Sequence, residues 1–455
     1  MNPGYGELYM RIQDLNGKSV CILGFGKEGQ ATLKALEKYA PDAKVTIADD
    51  KGQGTSDVGH GTWIGTIRDA VGRADNFDFY IKSPGISPEA VVTCPMSHVT
   101  SSTQLFLDSI ADSGATVIGV TGSKGKSTTT TLMYEILSKA GKDAHLIGNI
   151  GIPAISFIEH AKPGVTFVME MSSYQLMDLT VSPHIAVITS FFPEHLDYHG
   201  SLAAYKEAKK HITRFQTKDD IVFYASSHPN PLPLKGERAE RAEASSGEGV
   251  FEIAQESVGK KIAVSAAESP IAIEDTKLIG KHNLSNIALA CAVAQHLGIP
   301  ESTYIDVCRN FQGLPHRLQS LGVHHGIEWI DDAISTTPDS TIAALDALGD
   351  RVKTIILGGT DRGLDFAELG KRIAKSGIET VILFPGSGPR IRKAIEDAGT
   401  TVRFIEADSM SKAVSASKQW TPKGMIVLLS TASPSYNMFK NFEEKGEKFK
   451  EQILL

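Results

Sequence analysis

The chain has 455 residues, 41% hydrophobic and 22% charged, with a formal net charge of -7. It is too long for one core, and domain-size statistics suggest roughly three domains, while the acidic balance gives no sign of a nucleic-acid or other polyanionic partner. Cys21, Cys94, Cys291 and Cys308 stand far apart without a CxxC pair, which argues against a zinc knuckle or disulfide framework and suits a reducing cytoplasm. The N-terminal stretch has no apolar core of signal-peptide length and no 18-residue apolar run occurs, so a cytosolic chain with no membrane partner is expected.

Short β-rich apolar runs alternate with helical stretches throughout, the pattern of α/β domains with mostly parallel sheets. SVCILGFG (19–26) reads as a strand, followed by a helical stretch, the strand KVTIAD, and FDFYIKSPGIS (77–87), which runs into a Pro-Gly turn. The middle third begins with ATVIGV (115–120) and continues through TFVMEMSS (166–173) and IAVITSFF (185–192), each strand ending in a polar cluster. EWIDDA, TIILGG, TVILFP and MIVLLS follow in the last third. Boundaries near residue 110 and at FQGLPHRL (311–318) divide the chain into 1–110, 111–314 and 315–455. The segment 226–249 is Pro-rich, then charged, then Ser/Gly-rich. It lacks the apolar residues that would offset ordering entropy and reads as a loosely held insertion without a catalytic role.

Four motifs carry chemistry. GFGKEG, Gly24 to Gly29, sits between a strand and a helix, with Asp49 and Asp50 ending the next strand. A nicotinamide cofactor, another diphosphate ligand such as a UDP-sugar, and a plain structural turn are all open readings of it. The second motif, GVTGSKGKSTTTTL (119–132), resembles a phosphate-cradling loop, although Val120 stands where the strict spacing wants Gly. Small residues let its backbone N–H groups point at phosphate oxygens, Lys126 can reach the terminal phosphates, and the Ser127 hydroxyl can ligate Mg²⁺, so ATP or a close relative is expected over a plain Gly/Ser-rich turn. Third, Glu170, and His195 with Asp197, end neighbouring strands where α/β ligands bind; they suit Mg²⁺ ligation, though each alone reads as a surface polar group. Fourth, Lys206, Lys209 and Lys210 read by default as a solvated helix face.

Together these residues resemble the Mur ligase family over essentially the whole chain apart from the insertion. The loop matches that family's GxxGxxGK[ST] spacing at Gly119, Gly122, Gly125, Lys126 and Ser127; EMSSYQL (170–176), EHLDYHG (194–200), GNIG (148–151), KHNLSNIALA (281–290), GLPHRL (313–318) and LLSTASPSYNMFKNFEEKG (428–446) follow in the family's order. The resemblance implies a three-domain α/β fold: Rossmann-like, P-loop ATPase-like, then Rossmann-like. It implies a nucleotide site at Gly122, Ser123, Lys124, Gly125, Lys126, Ser127 and Thr128, completed by Asn283, His316, Arg317 and Asp332. A pair of Mg²⁺ ions would be held by Ser127, Glu170, His195 and Lys209, the last as a CO2-derived carbamate; Lys126, His195 and Lys209 are the implied catalytic residues. Gly24, Phe25, Gly26, Lys27, Asp49, Ser83, Pro84, Gly85, Asn149, Ser172 and Gln175 would bind a UDP-sugar, which decides the first motif against a dinucleotide.

The implied activity is ATP-dependent ligation of glutamate to UDP-N-acetylmuramoyl-L-alanine through an acyl phosphate, in peptidoglycan precursor synthesis, by a monomer acting on small molecules. Thr336, Arg362, Ser435 and Phe442 would hold the glutamate, and closure about GLPHRL would exclude water. The chain departs from the family pattern at Ile334 and Arg362, where lysines are common, and at Thr337 and Ser190, where asparagines are common. Arg is a fork-shaped donor and Lys a point charge, so the swap re-aims a carboxylate site. D-glutamate is the expected acceptor, and L-glutamate is the alternative. A sibling ligase adding another amino acid is disfavoured by FKNFEEKG with Ser435, and a degenerate nucleotide-binding scaffold by the joint presence of Lys126, Glu170, His195 and Lys209.

Overall fold

The apolar runs become the central strands of three sheets, each covered on both faces. The computed structural model describes residues 10–52, 59, 61–72, 77–91, 98–226 and 247–455. Cys94 and most of the expected insertion lie outside the described residues. Residues 247–249 do not belong to a loose segment: they open a helix running to 255, against which Phe191 packs so closely that a Cβ on Gly249 would lie 2.3 Å from its ring.

The first sheet contains β1 (Ser19–Leu23), β2 (Lys44–Ala48), β3 (Thr62–Gly65), β4 (Phe79–Lys82) and β5 (Val99–Ser101) in the order β3-β2-β1-β4-β5, all parallel. Val20 and Ile22 of β1 face one core and Cys21 and Leu23 the other, which is why this strand reads as a continuous apolar run. The second sheet contains β6 (Thr116–Thr121), β7 (Ala144–Gly148), β8 (Thr166–Glu170), β9 (Ile185–Ile188), β10 (Ile221–Ala225) and β11 (Lys260–Val264), ordered β11-β10-β9-β6-β8-β7 and again parallel. The chain leaves β6 toward one edge and later returns to β9 on its other side, so the carboxyl end of β6 is a topological switch point, the place where such sheets bind ligands.

The third sheet contains β12 (Gln319–His324), β13 (Ile327–Asp331), β14 (Val352–Leu357), β15 (Thr380–Leu383), β16 (Arg403–Glu406) and β17 (Ile426–Leu429), ordered β12-β13-β17-β14-β15-β16. Only the β12–β13 hairpin is antiparallel. Ile355 and Leu357 face one core and Ile356 the other; on that second side Trp329 is fully buried, its ring edge against Phe449 of the last helix, Phe442–Leu454. The first two sheets belong to one compact unit, and the third, with residues 271–283, belongs to another. No helix among the described residues is long and apolar enough to cross a membrane.

Candidate active site

In the first unit, the loop 122–125 joins β6 to the helix Lys126–Lys139. It turns through Gly122 at φ 154° and Gly125 at φ 85°, where a Cβ would lie 2.0 Å from Thr189 Oγ1 and 2.4 Å from Asn286 Oδ1 respectively. Val120 is a buried strand residue, so the glycine missing from the strict spacing is not needed there. Gly125 caps the helix without a side chain, leaving the first-turn N–H groups, including those of Ser127 and Thr128, available to an anion.

The loop is held open from behind. Ser123 Oγ donates to Phe192 O (2.9 Å), accepts from Phe192 N (2.8 Å) and meets Tyr205 Oη at 3.0 Å. Lys124 N donates to Ser190 Oγ, the Ser190 and Thr189 hydroxyls donate back to Lys124 O, and the Lys124 ammonium pairs with Glu194 at 2.6 Å. Ser190 therefore has a definite role as a clip on the glycine loop.

Lys126 and Lys209 converge on one oxygen: each Nζ donates to Gly122 O at 2.9 Å, so the two nitrogens are no further apart than twice that distance. Lys209 is 1% exposed, contacts Thr121 Oγ1 as well, and lies over the Tyr205 ring. Burial, and then the charge of Lys126, push its ammonium well below its ordinary value against the pull of Glu194 and Glu170. It is not the solvated lysine that its run suggests, and Lys206 and Lys210 are themselves half-buried, pairing with Glu252 and Glu256.

Glu170 is 1% exposed at the end of β8. Asn149 Nδ2 donates to its Oε1 at 2.7 Å, while its Oε2 is buried with no hydrogen-bond partner. A buried carboxylate oxygen without a donor is costly and fits a cation ligand. His195 holds a left-handed backbone at φ 56°, and burial lowers its imidazole below the ordinary value, against Glu194 and with help from Lys126 and Lys209. A neutral imidazole is the metal-binding form. Among the described residues no three His, Cys, Asp or Glu side chains converge as a ready-made metal cluster. Mg²⁺ is commonly held by one or two carboxylates plus substrate phosphates, and the open oxygen of Glu170 suits that role.

The expected UDP residues split into two groups. Gly26 and Lys27 open the helix Lys27–Tyr39 without a side-chain cap, as an anion site requires. Gly24, Phe25, Asp49 and Ser83 build that site's frame: Asp49 accepts from Phe25 N (2.6 Å) and Lys51 N (2.8 Å), and Ser83 Oγ donates to Gly24 O (2.9 Å). Ser172 and Gln175 cap a short helix reciprocally. Tyr198 Oη reaches Pro84 O (3.0 Å) and Ile86 O (2.8 Å), tying the turn that ends in exposed Gly85 to the four-residue helix following His195.

In the second unit the residues cluster at the carboxyl ends of β13, β14 and β17. His316 Nδ1 bonds Asp331 Oδ2 at 2.7 Å, which raises the imidazole above its ordinary value, and Phe442 meets the same ring edge-on at 6.1 Å. Gly446 makes this packing possible, because a Cβ there would lie 2.0 Å from His316 Nδ1. Asp332 accepts from Ser430 Oγ (2.8 Å) and Leu318 N (3.2 Å); burial pushes its carboxyl up to about 6. Arg317 Nε is buried without a partner. Thr336 is half-buried, and Thr337 caps the helix Pro338–Leu348. The Arg362 guanidinium lies 5.6 Å from the Tyr436 ring centroid, and Ser435 Oγ accepts from the fully buried Lys445 at 3.0 Å.

Asn283, expected at the nucleotide, donates to Ile279 O within the second unit; Asn286, three residues on, lies against the glycine loop and accepts from Thr129 Oγ1 at 3.2 Å. The shared helix of KHNLSNIALA carries both, and no local signal distinguishes them.

Profiles described as the Mur ligase middle domain and the Mur ligase glutamate ligase domain match residues 120–294 and 316–432. A Salinispora tropica protein named UDP-N-acetylmuramoyl-L-alanine--L-glutamate ligase is 34% identical over 98% of this chain and 99% of its own length. The chain belongs to the Mur ligase family. A second relative in that family, the Streptococcus agalactiae UDP-N-acetylmuramoylalanine--D-glutamate ligase, is 33% identical over 96% of this chain and 97% of its own. The Mur ligase fold is shared with the Thermotoga maritima UDP-N-acetylmuramate-alanine ligase MurC, at a TM-score of 0.56 and 18% identity over 96% of this chain and 99% of that one. The MurF ligase of the same organism, solved with ADP, gives 0.54 and 16% over 98% and 97%.

Proposed function

We propose that this chain is an ATP-dependent ligase joining D-glutamate to UDP-N-acetylmuramoyl-L-alanine in the cytoplasm, in the synthesis of peptidoglycan precursors and hence in cell shape and division. The observation that carries the reading is the meeting of Lys126 and buried Lys209 on Gly122 O, in a unit whose Glu170 keeps a buried carboxylate oxygen unpaired.

The alanyl carboxylate attacks the γ-phosphate of ATP, giving an acyl phosphate and ADP. The glutamate amine then attacks the acyl carbon, and the tetrahedral intermediate expels phosphate to leave the amide. Such phosphoryl transfer needs positioning and charge neutralisation more than covalent help. Lys126 and the first-turn N–H groups would grip the phosphates. The Lys209 amine, favoured over its ammonium by burial, would add its nitrogen lone pair to the carbon of CO2 and lose one proton from that nitrogen, leaving a carbamate anion. Mg²⁺ held by Ser127, Glu170, His195 and that carbamate would neutralise charge on the transferring phosphoryl group. Asn149 and Tyr198 hold Glu170 and the Ser83–Pro84–Gly85 turn in place, and Thr336, Arg362, Ser435 and Phe442 would receive the amino acid. L-glutamate is the second reading, favoured by Ile334 and Arg362 in that pocket and by the L-glutamate ligase relative.

Purified protein with ATP, Mg²⁺ and UDP-N-acetylmuramoyl-L-alanine should release phosphate only when glutamate is added. D- and L-glutamate assayed side by side decide the acceptor, and release without either sinks the ligase reading.

A further inference from the structure

Lys445 is 0% exposed, yet both of its hydrogen bonds go to neutral hydroxyls: Thr431 Oγ1 at 2.6 Å and Ser435 Oγ at 3.0 Å. The carboxylates that act on its charge, Asp331 and Asp332, are bonded elsewhere, Asp331 to His316 Nδ1 and Ala333 N and Asp332 to Ser430 and Leu318 N. A buried ammonium without a contacting counter-ion is expensive and points to a ligand anion. Thr431 donates onward to Ser433 O, so its hydroxyl is already committed. Ser435 Oγ differs: an ammonium has only donors, so a hydroxyl that accepts from it keeps its own proton to give. Ser435 Oγ borders the loop after β14, where Gly359 at φ 151° has no Cβ and would otherwise place one 3.1 Å away. Arg362 lies on the same loop.

We propose that Lys445 is a positioning residue that fixes Ser435 Oγ as a donor to the side-chain carboxylate of the incoming amino acid, and so makes this ligase select an acidic over a neutral acceptor. The inference rests on the glutamate-ligase reading. Burial lowers the ammonium only to about 8, so it is still charged at neutral pH.

The test compares glutamate with glutamine. Lys445→Met keeps the apolar stem and removes the charge. The glutamate KM should rise about tenfold or more with kcat changed little, the scale of one lost charge-assisted hydrogen bond. The glutamate-over-glutamine ratio of kcat/KM should fall by the same factor, Lys445→Arg should restore most of it, and Ser435→Ala combined with Lys445→Met should be no worse than either alone. Where Lys445→Met does not fold by circular dichroism, Lys445→Gln repeats the measurement. Equal losses for both acceptors with the ratio intact mean that Lys445 is only structural, which overturns the inference alone. A wild type that turns over no acidic amino acid overturns the ligase reading as well.

Discussion

Lys209 in the first unit and Lys445 in the second are equally sealed from solvent, yet their surroundings differ: a second lysine stands beside Lys209, whereas two aspartates act on Lys445. Lys209 shares a carbonyl with Lys126, and burial first, then that second cation, push its ammonium well below the ordinary value against the pull of Glu194 and Glu170. Lys445 feels Asp331 and Asp332, and burial takes it only to about 8. A third buried lysine, Lys82, takes the common solution of an ion pair, with Asp178 at 2.7 Å. Burial alone therefore does not tell what a lysine is for; the groups packed around it have to be read as well. The lowering at Lys209 favours the free amine that reacts with CO2, whereas the Lys445 ammonium suits an anion.

The sharpest way to break this contrast is Lys209→Ala. Activity should fall by about 10²–10³-fold, the scale of removing one preorganised electrostatic group, and an added short carboxylate should restore part of it. An unaffected variant would return Lys209 to a packing role. Glu170→Gln comes next. Turnover should drop about 10²-fold on the same grounds, with the midpoint of thermal unfolding held or raised, because the unpaired buried oxygen loses its charge while Asn149 keeps an acceptor. A drop in stability equal to the drop in activity would instead make Glu170 structural.

The smallest effect sharpens the other half of the comparison. The Asp332 carboxyl is raised to about 6 in the fold, so its contribution to stability is present at low pH and lost as pH rises through that value. Asp332→Asn should remove this slope and gain about 1–2 kcal/mol at pH 7 relative to wild type, read by urea unfolding at pH 4.5 and 7. It also removes one of the charges that keep Lys445 protonated, so glutamate KM at pH 8 should rise more in the variant than at pH 6.5.

The central strands β1, β6, β8, β9, β14, β15 and β17 were legible because both of their faces are buried and they read as unbroken apolar runs. Edge strands such as β3, β12 and β16 were not: residues like Thr62, Gly322 and Arg403 face solvent, and no run forms. Within the site, the glycine loop and Glu170 announce themselves by position at strand ends. Lys209 was separable from Lys206 and Lys210 only through the family resemblance, since helical phase fixes which residues share a face but not which face is covered. Lys445 was invisible for the same reason. In FKNFEEKG it sits among exposed acids at a helix start, and only the third dimension puts it beneath Ser435. Ser172 and Gln175, which the resemblance assigns to a ligand, also cap a helix reciprocally, a local role that their pattern in the sequence already signals.

The contact between Trp329 and Phe449 has an optical consequence. Phe449 lies one helical turn beyond Lys445, and its ring edge meets Trp329 at a centroid distance of 5.7 Å. Trp63 is half-buried in the first unit and Trp420 is 37% exposed beside Arg403, so Trp329 is the indole shielded from water in the second unit. Its intrinsic fluorescence reports on the helix that carries Lys445, and a shift of that helix when an amino acid arrives would change the emission with no label attached.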